Sequence, residues 1–81
     1  MNKTTIFESS DRTATTQVTE MLDHLESTYL KEHKKKLPVD LFVSVSGPRN
    51  TPIVGITAYH EANQGKEVEY LLSLVEAQTA A

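Results

Sequence analysis

The chain has no cysteine in 81 residues. No disulfide can staple it and no thiolate zinc site can form, which suits a reducing compartment. Glycine is scarce, and Gly47, Gly55 and Gly65 are too scattered for a phosphate-cradling loop. Apolar runs are only a few residues long, too short to span a membrane. The start, MNKTTIFESS, lacks the apolar stretch of a signal peptide, so the expected location is cytoplasmic. Basic residues are outnumbered, eight Lys and Arg against eleven Asp and Glu, for a formal charge of −3. Residues 31–36 hold four Lys and one Glu, +3, which leaves −6 for the rest. A protein that grips nucleic acid over a broad face is usually basic across that face, and this chain is not. Its length allows one domain, residues 1–81, of the size that is only marginally stable alone.

What is present patterns cleanly. Residues 3–8, KTTIFE, combine β-branched and aromatic types and predict a strand. Ser10 and Asp11 are the best-placed caps for the helix that follows. From about 12 to 35, Ala14, Val18, Met21, Leu22, Leu25 and Tyr29 recur at three- and four-residue steps and fill one stripe. Glu20, Asp23 and Glu26 lie opposite, and Leu30 falls outside the stripe. The helix must stop before Pro38. Lys31, Lys34, Lys35 and Lys36 then fall in its last turns, where cations complement the negative end of the helix dipole.

Leu41, Val43 and Val45 alternate with Phe42, Ser44 and Ser46, the period of a half-buried strand. Gly47, Pro48, Asn50 and Pro52 make a turn, and Ile53–Tyr59 returns as a second strand with Val54, Ile56 and Ala58 on one side. A final helix begins near Asn63, its expected cap. Val68, Leu71, Leu72 and Val75 form its core stripe, with Tyr70, Leu74 and Ala77 as a second apolar strip. The order β-α-β-β-α predicts an α+β fold, a three-stranded sheet with two helices packed on one face. The first strand is expected to pair in parallel with a hairpin strand through a right-handed crossover around the first helix. Phe42, Ser44, Thr57 and Tyr59 would show on the open face.

No constellation carries catalytic chemistry, and the chain reads as a non-enzyme without cofactor. Glu20 and His24 have a metal-compatible spacing but lack a third ligand. His33 sits in the basic helix end, and His60 beside Glu61 reads as surface. Three functional readings follow. The leading one is a regulator that binds a larger protein through the last helix. Tyr70 and Leu74 would be its buried anchors, and Glu67, Glu69 and Glu76 its charged contacts. The second is a single-stranded nucleic-acid module in which Lys31, Lys34, Lys35 and Lys36 meet phosphates and Phe42 and Tyr59 stack bases. The third is a homodimer that buries the second strip of the last helix or pairs a strand edge.

FVSVSG, the short turn and PIVGIT, with LP at 37–38 ending the first helix, resemble the DinI-like family of small bacterial and phage proteins linked to DNA damage. The resemblance covers most of the chain as topology and about twenty residues as text. It implies that the acidic last helix approaches a RecA filament in a manner likened to DNA mimicry. Glu67, Glu69 and Glu76 would carry that role, with Glu61 just before them. Lys66 partly offsets them, and the tail AQTAA lacks the acids expected there.

Overall fold

Eight extended residues, Asn2–Ser9, open the chain as β1, and Ala14–His33 follow as the long helix α1. The hairpin strands are β2, Asp40–Ser46, and β3, Ile53–His60. A 3₁₀ turn at Ala62–Gln64 leads into the last helix, α2, Gly65–Thr79. This architecture is that of a computed structural model, which describes residues 2–79. The element order and the α+β class are those the sequence predicts.

The strand pairing is not. The sheet order is β1-β3-β2, with β3 antiparallel to both neighbours. β1 and β2 run the same way but do not touch, because the hairpin's return strand lies between them. The physical reason is in β3 itself. Val54, Ile56 and Ala58 are buried and Gly55 lets a neighbour approach closely, whereas β2 alternates with serines that tolerate an edge. The most apolar strand takes the centre.

The core is one cluster. Ile6, Val54, Ile56 and Ala58 face Val18, Met21 and Leu25 of α1 and Val68, Leu71 and Val75 of α2. Both helices therefore cover the same face of the sheet. The predicted α1 stripe is the buried stripe, with Ala14 and Tyr29 at its ends and Leu22 half-buried. Val39, in the loop after Pro38, joins the core as well.

Helix ends differ from the expected ones. Thr13 precedes α1 and makes no side-chain cap. Asp11 instead closes the turn before it: its carboxylate accepts the Thr13 N–H at 3.2 Å and its carbonyl accepts that of Ala14 at 3.0 Å. The helix ends at His33, so only Lys31 of the four lysines is inside it. Lys34 takes the left-handed conformation, φ 58°, and its N–H donates to the Leu30 carbonyl at 2.9 Å. Lys35 and Lys36 lie beyond. Asn63 does not cap α2: it lies inside the 3₁₀ turn that leads into the helix, and Glu61 is the residue at the start of that turn. The Gln64 side chain accepts the Glu61 N–H at 2.8 Å, and the Glu61 carbonyl accepts the Gln64 N–H at 3.0 Å.

Candidate functional site

The two helices leave part of the sheet uncovered. α1 lies over β3 and β1, and α2 over β1. β2 is reached only at its start, where Leu41 packs against the core. Val43 and Val45 point to the same side as Leu41, because their partners on β3 are the buried Ile56 and Val54. Even so, Val43 is 48% exposed and Val45 69%. Leu30, on the flank of α1, is 54% exposed, and Phe42, on the opposite side of β2, is 52% exposed. These four are the large apolar residues left in water among the described residues; Phe42, Val43 and Val45 belong to the edge strand β2, and Leu30 lines a groove together with Phe42. Between α1 and the start of β2 runs an open groove. Leu30, Leu37, Val39 and Leu41 line it, and Asp23, Glu26, Asp40 and Lys36 give it charge.

The sequence held two partial signals of this surface: Leu30 outside the α1 stripe, and a charge-free run from 41 to 46. The exposure of Val43 and Val45 had no local signal. It depends on how far two helices of these lengths reach across three strands, and on β2 being an edge.

The residues predicted for protein binding sit on α2, and the structure divides them. Glu69 and Glu76 are exposed, Glu67 half-buried. Tyr70 and Leu74 are half-buried, and Leu74 packs against the core. Tyr70 is engaged within the chain. Its ring meets Tyr29 edge-on at 5.7 Å and His33 at 5.0 Å, while Tyr29 and His33 stack at 4.1 Å. The Tyr70 hydroxyl donates to the Glu32 carboxylate. That bond first, then burial and the Glu32 charge, push the phenol up to about 12. The second apolar strip of α2 is thus covered at Tyr70 by α1, and Tyr70 is not a free anchor.

The residues of the nucleic-acid reading are also placed. Phe42 and Tyr59 share the open face of the sheet and pack on each other edge-to-face at 5.1 Å. Their ionisable neighbours on that face are Lys3, level with Tyr59, and the acids Asp40 and Glu8. The four lysines lie at the end of α1, and they diverge. Lys36 lines the groove beside β2, Lys35 lines a cleft with Tyr29, His33 and Tyr70, and Lys31 and Lys34 are exposed. They form no stripe along the aromatic face.

His60, expected at the surface, is buried. Its Nε2 lies 2.9 Å from the Thr4 hydroxyl and its Nδ1 3.2 Å from the Glu61 carbonyl. It is a satisfied polar group that ties β1 to the start of the 3₁₀ turn before α2. His24 and Glu20 flank a shallow hollow with Gln17 and Gln78. Among the described residues no three His, Cys, Asp or Glu form a group that could hold a metal ion, and no helix is long and apolar enough to cross a membrane.

No protein-family model matches this chain, and neither a curated protein nor a solved structure does.

Proposed function

We propose that this chain is a small non-enzymatic regulator that works by binding protein, through the β2 edge and the groove beside it. One observation carries the reading: the exposed Leu30, Phe42, Val43 and Val45 gather on the edge strand β2 and the groove beside it instead of scattering. An edge strand offers main-chain hydrogen bonds to an added strand, and the alternate side chains give selectivity. The acids of α2, Glu67, Glu69 and Glu76, would then act as a charged flank that sets encounter rate. The DinI-like resemblance makes a DNA-handling machine such as the RecA filament the partner to try first. Its supports are the element order and those glutamates.

The test is capture on immobilised chain. Val43→Lys and Val45→Lys are expected to abolish binding, and Tyr70→Phe to leave it intact. Retained capture by both valine variants would remove the edge from the reading. Single-stranded DNA titrated at low salt should leave fluorescence anisotropy unchanged. Binding with a steep salt dependence would instead move the function to the lysines at 31–36.

A further inference from the structure

β1 and β2 are both free edges of the sheet, and they differ in protection. β1 carries Lys3 and Glu8 and breaks register at a bulge between Thr5 and Phe7. Charges and bulges of this kind keep natural edges from pairing with other chains. β2 has neither. From Leu41 to Ser46 it holds no charge and no proline, and its register against β3 is unbroken. Its core-side row, Leu41, Val43 and Val45, continues past the helices into water.

We infer that β2 pairs with β2 of a second copy of this chain, antiparallel and two-fold, with Val43 facing Val43 on the axis. The inference rests on the protein-binding reading of this edge and names its occupant. The result is a six-stranded sheet in the order β1-β3-β2-β2-β3-β1, in which no unprotected edge remains.

Three features favour a second copy over a foreign strand. In that register Leu41 faces Val45, Phe42 faces Ser44 and Asp40 faces Ser46 of the other copy, so apolar meets apolar on the core side and no like charges meet. Next, the most exposed residue of the row, Val45, arrives beside the other copy's Leu41, at the mouth of the groove lined by Leu30 and Leu37. Each copy supplies both the projecting valine and the groove that takes it, the reciprocity of an isologous interface. Finally, the antiparallel arrangement brings the hairpin turn of one copy to the start of β2 in the other. That turn holds Arg49, the only Lys or Arg between residues 37 and 65. The groove at the end it reaches holds three acids, Asp23, Glu26 and Asp40, against one cation, Lys36. A standard interface takes about 800 Å² per partner, near a seventh of this chain's 5668 Å². One strand, one helix flank and one turn would have to supply that area. Such a dimer exchanges with monomer as the protein is diluted.

The experiment is sedimentation equilibrium over a concentration series. The wild-type mass should rise to twice the 9.0 kDa of the chain. Val43→Lys and Val43→Glu should each stay monomeric, because two like-charged residues then stand directly opposite on the axis, their Cα atoms about 5 Å apart, in place of an apolar pair. Mixed in equal amounts, the two variants should return to dimer mass, which only self-opposition at residue 43 produces. Val43 is half exposed, so both variants should keep the wild-type circular dichroism spectrum. The chain has no native thiol, which allows a second readout free of background. Oxidised Val43→Cys should give a covalent dimer, and Ser73→Cys on α2 should not. A wild-type protein that is monomeric up to ~1 mM, or a dimer that both Val43 charge variants leave intact, would overturn the pairing. A monomer that still captures another protein through Val43 and Val45 overturns the pairing alone. A monomer that captures nothing overturns the edge reading with it.

Discussion

Gly55 sits in the central strand opposite Glu8, next to the bulge in β1. A Cβ built there would lie 2.9 Å from the Phe7 carbonyl oxygen, and that oxygen belongs to backbone that cannot swing aside. Gly55→Ala must therefore push β1 away, at a cost of about 1–3 kcal/mol by analogy with overpacked sites, read as a lower midpoint in urea. Lys34 poses the opposite case, a side chain where glycine is preferred. Its left-handed backbone, φ 58°, costs an L-residue roughly 1 kcal/mol. Lys34→Gly should raise stability by about 0.5–1 kcal/mol, since the loss of one exposed cation near the helix end is a smaller effect. Tyr70 adds a pH-dependent contribution. Its phenol loses a proton near pH 10 when unfolded and near 12 when folded, because the neutral hydroxyl donates to Glu32. A raised folded pKa gives stability that is complete below pH 10 and is lost as pH climbs from 10 to 12. Tyr70→Phe should flatten that part of the stability profile relative to wild type, measured by denaturant titration at each pH.

The elements were legible in proportion to how local their causes are. The α1 stripe from Ala14 to Tyr29 follows from three- and four-residue spacing alone, and the alternation in 53–59 fixes which side of β3 is buried. A pair of substitutions, compared in the monomeric Val43→Lys background, tests the stripe: Leu25→Ala, at a position with no exposure, should cost about 2–5 kcal/mol, whereas Leu30→Ala on the exposed flank should stay within about 0.5 kcal/mol. Termini were less legible. Asp11 and Asn63 are good caps by type, yet Asp11 closes a turn ahead of α1 and Asn63 falls inside a 3₁₀ turn that starts at Glu61 and precedes α2. The parallel pairing that the element order suggests for β1 is not the one it makes. Nothing in KTTIFE distinguishes a neighbour next along the chain from one across the hairpin; that choice is set by which strand has the most apolar surface to hide. The burial of His60 is illegible for a related reason. Its burial needs Thr4, 56 residues away, to supply a hydroxyl, and no local pattern announces such a partner. The candidate surface on α2 was legible as an apolar strip, but what covers it, Tyr29 and His33 of α1, emerges only when the helices meet.

At the scale of the whole molecule the question is whether so small a core suffices. Thirteen apolar side chains are buried among the described residues, and a domain of this length hides a modest share of the surface its unfolded chain exposes. Neither a disulfide nor a thiolate metal site can supplement it. Burying the β2 edge against a second copy adds Val43, Val45 and Leu30 to the apolar surface removed from water, and it couples folding to association. Anything that binds only the folded state raises apparent stability by mass action, a second copy included. Once dimer dominates, each tenfold rise in concentration adds about 1.4 kcal/mol per dimer, or about 0.7 per chain. For a domain of this size that moves the melting temperature by about 3–6 °C. Calorimetry at several protein concentrations should show this climb in the wild type. Val43→Lys should melt at one temperature throughout, close to that of the wild type at its most dilute, because the substitution removes the association and leaves the core of each chain as it was.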